Sequence, residues 1–212
     1  MVGASKRARP ARRGARRASP LPSYPGFIRI IGGRWRSRKL PVPVSEGLRP
    51  TPDRVRETLF NWLAPYLPGA HCLDLFAGTG ALCLEALSRG AGSVVMVEQS
   101  AAVAEGLRRN LATLGAQDAE VICADALVFL AGAPRIFDIV FLDPPFRSDL
   151  IARCAELLEP RGWVHPGTLV YVEAPRHLDP LPLPAHWELA RSKCAGEVGY
   201  HLARIPAEAR SD

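Results

Sequence analysis

A pair of glycines, Gly78 and Gly80, follows a short apolar run that contains the acid Asp74. Apolar residues resume at helix-like spacing from Leu82, so this segment predicts a strand, a tight turn and a helix. Glycine has no Cβ and adopts positive φ readily, which lets a ligand lie directly against the backbone at the strand end. A dinucleotide site has a third glycine where this chain has Cys83, and that departure favours a nucleoside without phosphates.

The acid at the strand end narrows the expected ligand further. The carboxylate of Asp74 suits a cationic or amine-bearing ligand and repels a phosphate, and S-adenosylmethionine is a nucleoside of that kind. A glycine turn without any ligand is the alternative, because a lone glycine motif is a weak signal.

Two further acids follow predicted strands. Glu98 closes the apolar strand 93–97, about 20 residues beyond the glycine turn, where a carboxylate can accept hydrogen bonds from both ribose hydroxyls. Asp125 follows the strand 120–124, where its side chain could accept a hydrogen bond from an adenine amino group. The alternatives are a solvated acid at position 98 and, for Asp125, the N-cap of a helix at 126–130.

The strand 136–142 leads into a turn of different chemistry, Asp143-Pro144-Pro145-Phe146. Consecutive prolines fix φ and donate no hydrogen bonds, so the turn is predicted to be stiff, with carbonyls that point outward as acceptors. The Asp143 carboxylate and the Pro144 carbonyl can accept the two protons of an exocyclic amine, while Phe146 stacks on the ring. The alternative is a rigid loop with a phenylalanine in the core.

These residues need a scaffold that brings strand ends to a common crevice. Strands and helices alternate along the chain, which predicts an α/β fold with ligand-binding acids at the carboxyl ends of four strands. A helix with Thr51 as its N-cap is predicted before the central strand, and a fifth strand at 168–173 and a strand pair at 186–193 and 198–205 after it. A chain of 212 residues with 48% hydrophobic residues allows one such core and an appendage.

Basic residues are concentrated at the beginning of the chain. Residues 1–56 contain 15 of the 27 Lys and Arg with two acids, a net charge of +13, whereas residues 57–212 contain 12 bases and 19 acids, a net charge of −7. We expect a disordered basic tail at 1–26 and a basic β-hairpin at 27–48, which suit a polyanion such as RNA. The candidate nucleic-acid contacts are Arg34, Trp35, Arg36, Arg38, Lys39, Arg49, Arg54 and Arg56.

Two of these interpretations leave alternatives open. The tail has the composition of an organellar transit peptide as well as of a merely solvated segment. Trp35 suits stacking on an unpaired base, but it would equally anchor the hairpin to the core while the basic side chains form the solvated face.

Composition also excludes several classes of protein. No run approaches the roughly 18 apolar residues of a transmembrane helix, and the N-terminus lacks the apolar region of a secretory signal, so we expect a cytoplasmic protein without a membrane partner. The five cysteines include no C-x-x-C pair, which disfavours a zinc site or a disulfide framework. We expect no metal and a monomeric protein.

Taken together, DLFAGTG, Glu98, Asp125-Ala126 and Asp143-Pro144-Pro145-Phe146 resemble the class I S-adenosylmethionine-dependent methyltransferases that methylate amino groups. More narrowly, IRIIGGRWRSRKLPVP followed by GLRPTPDRVRETLFNWL resembles the RsmD family, the bacterial small-subunit ribosomal RNA guanine-N2 methyltransferases. The resemblance covers roughly residues 28–205. It implies a Rossmann-like fold with a mostly parallel seven-stranded sheet and an antiparallel last strand, in a methyltransferase domain at 49–206.

The resemblance also implies a role for each motif. The cofactor would contact Asp74, Phe76, Gly78 and Gly80 with its methionine part, Glu98 with its ribose, and Asp125 and Ala126 with its adenine. The turn at 143–146 would hold the guanine.

The expected partner is 16S ribosomal RNA, either free or in a small-subunit assembly intermediate. Two rival functions stay open at this point. One is the same chemistry on adenine N6 of DNA or RNA, or on a glutamine amide. The other is an inactive RNA-binding assembly factor that has kept only the fold.

Overall fold

The computed structural model describes residues 26–42, 51–145 and 149–207. The expected tail except Gly26, the hairpin residues 43–48, Arg49 and Phe146 lie outside the described residues. The strands are β1 Gly26–Arg29, β2 Lys39–Val42, β3 His71–Asp74, β4 Ser93–Glu98, β5 Ala119–Cys123, β6 Phe137–Leu142, β7 Val164–Pro175, β8 Glu188–Ala195 and β9 Val198–Arg204. The helices are α1 Asp53–Leu63, α2 Ala81–Ser88, α3 Ala101–Leu114, α4 Ala126–Leu130 and α5 Leu150–Leu158.

Seven strands form one sheet in the order β5-β4-β3-β6-β7-β9-β8. Neighbouring strands from β5 to β7 are parallel, whereas β9, the last strand of the chain, is antiparallel to both β7 and β8. The predicted α/β fold with a mostly parallel seven-stranded sheet and an antiparallel last strand is therefore confirmed. The strand order reverses between β3 and β6, and open sheets of this type bind ligands beside that point, at the carboxyl ends of the strands.

Both faces of the sheet are covered. The N-terminal hairpin β1–β2 and the helices α1, α2 and α3 pack on one face, and α4 and α5 pack on the other. Successive residues of a strand point to opposite faces of the sheet. Cys72 and Phe141 lie in the apolar core of the first face, and Leu73 and Val140 lie in the core of the second. This two-sided burial explains why the central strands are nearly continuous apolar runs in the sequence.

The hairpin is joined to the first face by a buried carboxylate. The connection between its strands contains a single 3-10 turn, Gly33–Trp35. Glu85 of α2 is fully buried and accepts hydrogen bonds from the backbone N–H groups of Ile31 and Gly32, both at 2.8 Å. The carboxylate thus satisfies two backbone donors that lie outside the hairpin ladder.

Arg56 pairs with this carboxylate from α1. Its guanidinium lies 3.5 Å from the Glu85 carboxylate, and only 2% of its side chain is exposed. The same guanidinium donates to the backbone carbonyls of Thr51 and Arg29 and to the carboxylate of Asp53. The prediction that Arg56 contacts nucleic acid is therefore wrong, because its donors join the hairpin, α1 and α2 to one another.

The tip of the hairpin fits closely against the end of α2. Gly33 has a φ of 75°, and a Cβ at this position would lie 1.8 Å from the carbonyl oxygen of Ser88. The Ser88 hydroxyl donates to the Gly32 carbonyl at 2.6 Å and accepts from the Trp35 N–H at 3.0 Å. Only glycine therefore permits both the turn and the close approach at position 33.

The beginning of α1 differs from its prediction. The helix starts at Asp53 with Pro52 as the N-cap residue, and no side chain caps it. Thr51 does not cap the helix, and its hydroxyl lies close enough to the Glu173 carboxylate to lower the pKa of that acid.

All five cysteines are free thiols, three of them buried, and Cys123 and Cys194 exposed. Within the described residues, no helix is both long enough and apolar enough to cross a lipid bilayer.

We expect the substitution Glu85→Gln to lower the free energy of unfolding by about 3 kcal/mol or more, because it removes the fully buried charge that pairs with both Arg56 and Arg89. Chemical denaturation followed by circular dichroism measures this change. The control is Glu105→Gln on α3, where the half-exposed Glu105 pairs with Arg108 and Arg109, and a loss below about 1 kcal/mol is expected there. A Glu85→Gln protein as stable as the control would show that the charge of Glu85 does not hold the hairpin to the first face.

Candidate active site

The carboxyl ends of three neighbouring strands bring three acids into one row. Asp74 ends β3 and is opposite Phe141 of β6, and Leu142 is opposite Val172 of β7. The residue after β6, Asp143, therefore lies beside Glu173. These three acids follow the alternation of Cys72, Phe141 and Tyr171, so they face α1 and α2. We refer to Asp74, Asp143 and Glu173 as the acidic row.

Asp74 is the most deeply buried member of the row. Its carboxylate accepts a hydrogen bond from the Phe76 N–H at 3.1 Å and lies 3.8 Å from the Cys83 thiol. Burial is the main reason that the pKa of Asp74 is raised to about 7, and the charges of Glu98 and Glu173 add to this rise. The predicted cationic ligand would oppose the rise by favouring the ionised form.

The glycine turn and Glu98 are in direct contact. Glu98 accepts hydrogen bonds from the N–H groups of Gly78 at 3.0 Å and Ser100 at 2.7 Å. Gly78 and Gly80 have φ values of 50° and 77°, as predicted for the turn, and a Cβ at Gly80 would lie 2.6 Å from a Leu107 methyl carbon. An ionised carboxylate has about four acceptor positions, so Glu98 can still accept from two ribose hydroxyls. These residues therefore fit the ribose of the expected cofactor.

Asp125 is the N-cap of α4, the alternative that its position left open. One of its oxygens, Oδ1, accepts hydrogen bonds from the N–H groups of Leu127 and Val128 at 2.9 and 3.1 Å. Neither of these bonds uses Oδ2, and the side chain is exposed at the carboxyl end of β5. The cap therefore orients Asp125 without excluding an adenine contact, and Ala126 follows it as a buried residue.

The proline turn begins inside the acidic row. Asp143 is partly buried, Pro144 is buried and Pro145 is exposed. Burial, and then the charges of Glu173 and Asp74, raise the pKa of Asp143 well above its ordinary value. The structure thus brings Asp143 close enough to Asp74 for their charges to interact, as the predicted common crevice requires.

Glu173 is the member of the row that the sequence analysis missed. Its Oε1 accepts a hydrogen bond from the Tyr171 hydroxyl at 2.8 Å, and the Thr51 hydroxyl is a second partner. Burial raises the pKa of Glu173 against the opposing effect of these two hydrogen bonds. The available signal was an acid near the end of a buried apolar strand, the signal that identified Asp74 and Glu98.

The acidic row does not have the arrangement of a metal site. Among the residues that the structure describes, no group of three or more His, Cys, Asp or Glu side chains is placed to hold a metal ion.

The basic residues of the hairpin lie near the carboxyl end of α2, whereas the glycine turn precedes its amino end. The side chains that are exposed there are Arg34, Arg36, Arg38 and Lys39, and Arg54 is exposed on α1. Gly80 precedes α2 and the hairpin tip contacts Ser88 at its end, so the length of the helix separates the two by roughly 10 Å.

Trp35 serves partly as an anchor. Its ring is half-buried against the first core, and the Arg34 guanidinium lies 4.1 Å from the ring centre. This arrangement favours the anchoring alternative for Trp35, because the core and Arg34 already use much of the ring surface.

Comparison with known proteins gives consistent matches over nearly the whole chain. A family model described as "Conserved hypothetical protein 95" matches residues 28–204. The Escherichia coli (strain K12) protein named ribosomal RNA small subunit methyltransferase D is 52% identical over 193 residues, which cover 91% of this chain and 98% of that protein.

Two solved structures give the same picture. The Escherichia coli protein yhhF has a TM-score of 0.79 and 52% identity, and the match covers 86% of this chain and 100% of that chain. The T. thermophilus 16S rRNA N2 G1207 methyltransferase RsmC, in complex with AdoMet and guanosine, has a TM-score of 0.67 and 26% identity, over 88% of this chain and 52% of that chain.

We expect the affinity for S-adenosylmethionine to fall as the pH drops below about 7. The raised pKa means that free Asp74 takes up a proton in that range, and a cationic ligand must displace it, so the affinity should fall by up to about tenfold per pH unit. Above pH 7 the carboxylate is ionised and this dependence ends. Isothermal titration calorimetry between pH 5.5 and 7.5 measures it.

The matched variants are Asp74→Asn and Asp118→Asn. Asp118 is exposed and directly precedes β5, at the amino end of that strand, whereas Asp74 is the last residue of β3. Asp74→Asn should bind more weakly at pH 7.5 and show a flat profile over this range, whereas Asp118→Asn should behave as the unmodified protein. A pH dependence that persists in Asp74→Asn would remove Asp74 from the cofactor site.

Proposed function

This chain belongs to the RsmD family of S-adenosylmethionine-dependent methyltransferases, and we propose that it transfers a methyl group to the exocyclic N2 amine of a guanine in 16S ribosomal RNA. The observation that carries the proposal is the position of Asp143, beside Asp74 and one strand away from the glycine turn. The names of the Escherichia coli relative and of the T. thermophilus structural neighbour, which bound AdoMet and guanosine, support the same chemistry.

The cofactor would be held by residues at the carboxyl ends of three strands. Asp74 and the glycine turn would contact its methionine part, together with Phe76. Glu98 would accept from the ribose hydroxyls, and Asp125 with Ala126 would border the adenine. When bound, S-adenosylmethionine supplies an electrophilic methyl group on a sulfonium.

The protein's contribution to the reaction is to hold a weak nucleophile. The lone pair of guanine N2 is delocalised into the ring, so the amine reacts only when its two N–H groups are held by acceptors that favour a pyramidal nitrogen. Asp143 and the Pro144 carbonyl would be those acceptors, and the proline-stiffened turn would fix their separation. The methylated nitrogen must then lose one proton, and the raised pKa of Asp143 makes this carboxylate a suitable base.

The RNA would be attracted and oriented by the hairpin. Arg34, Arg36, Arg38 and Lys39 would contact phosphates, as would the exposed Arg54 on α1, and residues 27–48 would form the RNA-binding element. The target base must leave its stack, which costs a few kcal/mol and is easier in a loop. Free 16S RNA or a small-subunit assembly intermediate would present such a base.

The proposed function also implies a cellular location and an oligomeric state for the protein. The substrate is assembled in the cytoplasm, so we place the protein there. A single chain supplies every residue assigned to the cofactor and the guanine, so a monomer would be sufficient.

We expect Asp143→Asn to lower the turnover number about 10²- to 10⁴-fold, because the variant loses the base and one charged acceptor for the amine. Its affinity for S-adenosylmethionine should stay within a few fold, since Asp143 contacts the base and not the cofactor. Transfer of labelled methyl groups measures the first quantity and calorimetry the second. Asp118→Asn is the matched control, with both quantities unchanged.

The substrate itself is tested by offering naked 16S RNA, assembled 30S particles and duplex DNA to the unmodified protein and mapping the modified atom by mass spectrometry. N2-methylguanine in either RNA sample supports the proposal. N6-methyladenine in any sample would replace it with the adenine alternative, and no transfer to any sample would favour the inactive assembly factor.

A further inference from the structure

Glu173 remains without a role in the chemistry described so far. It lies opposite Asp143 on the neighbouring strand, on the same face of the sheet, and only 4% of it is exposed. The Tyr171 hydroxyl of β7 donates a hydrogen bond to it at 2.8 Å, and the Thr51 hydroxyl, from the segment before α1, is near enough to lower its pKa. Its carboxylate is therefore a fixed acceptor next to the residue that would hold the reacting amine.

We propose that Glu173 determines the choice of base by accepting a hydrogen bond from the ring N1–H of the target guanine. The inference rests on the proposed function and extends it, because it identifies which atom beside the reacting amine the protein recognises. Enzymes that take a base out of its stack commonly recognise its Watson–Crick edge by hydrogen bonds of this kind.

The spacing of the two carboxylates suits the edge of a guanine. Adjacent strands are separated by about 4.8 Å. Asp143 directly follows β6 and Glu173 lies in β7, one residue beyond the paired Leu142 and Val172, so both side chains project onto one face. On guanine, N1–H and N2–H are neighbouring donors on one edge of the base, so two acceptors side by side can engage one donor each. Adenine has an acceptor at ring N1, and a carboxylate at Glu173 would repel it.

The surroundings of Glu173 also distinguish recognition from a purely structural role. Within residues 26–42, 51–145 and 149–207, neither Asp143 nor Glu173 forms an ion pair. The hydroxyls of Tyr171 and Thr51 would be satisfied equally well by the amide oxygen of a glutamine. A buried acid costs folding free energy that a neutral amide would not, and a ligand N–H donor offsets that cost.

The test compares guanine with 2-aminopurine, which has the same exocyclic N2 amine but no proton on N1. The position that the unmodified protein methylates is first mapped, and 16S RNA carrying either base at that position is then supplied in the form that supports guanine methylation. We expect the unmodified protein to show a kcat/KM roughly 10- to 100-fold higher on guanine, as expected for loss of a hydrogen bond to a charged acceptor.

The Glu173→Gln variant should reduce this preference to less than about threefold, because a glutamine amide can donate to the unprotonated N1 of 2-aminopurine as well as accept from guanine. Glu188→Gln, at an exposed position in β8, is the matched control and should keep the full preference. Tyr171→Phe loosens Glu173 without removing it and should lower the preference by a smaller factor, which keeps the test informative if Glu173→Gln does not fold.

Each outcome bears on the inference separately from the proposed function. A variant at position 173 that loses turnover equally on both bases would overturn the inference, since Glu173 would then be structural. Equal use of guanine and 2-aminopurine by the unmodified protein would overturn it as well. If the unmodified protein methylates no guanine N2 in any RNA, the proposed function itself fails.

Discussion

Exclusion of water from three carboxylates is the constraint on which the candidate active site depends. Asp74, Asp143 and Glu173 lie at the ends of adjacent strands, and burial raises the pKa of each, while repulsion between charges adds to the rise for Asp74 and Asp143. In water these acids would be ionised and indifferent to one another, whereas here their ionisation requires donors or cations. A sulfonium cofactor and the N–H groups of a purine would supply both kinds of partner under the proposed function.

The buried carboxylate of Glu85 has the opposite character. Glu85 accepts from two backbone N–H groups and is paired with Arg56 and Arg89, so its charge is satisfied by the chain itself. Glu85 therefore differs from Glu173, for which the described residues supply no cationic partner. Burial alone does not distinguish them, because both side chains are almost wholly inaccessible, but the presence of cationic partners does.

The sequence allowed the fold and most of the acidic row to be predicted, because the signals were local. The glycine turn, the alternation of strands and helices and the acids at strand ends each depend on a few neighbouring residues, and the helix at 126–130 has its predicted bounds. Partnerships between distant residues could not be predicted. The burial of Arg56 depends on Glu85 and the Arg29 carbonyl, and the Thr51 hydroxyl lies near Glu173, more than 100 residues away in the sequence. A cluster of basic residues in the sequence predicts a solvent-exposed surface. Only the tertiary packing shows that one of these residues, Arg56, is buried.

All eight residues of α2 are buried, since the helix lies between the sheet and the hairpin. Its first residue follows the glycine turn and its last turn supports the basic tip, so neither end can shift without displacing the other. Induced fit between the protein and a folded ribosomal target would then fall mainly on the nucleic acid. The distance between the hairpin tip and the methyl donor would then be fixed. Only a base that can be extruded at that distance from the phosphates bound at the tip would reach the methyl donor.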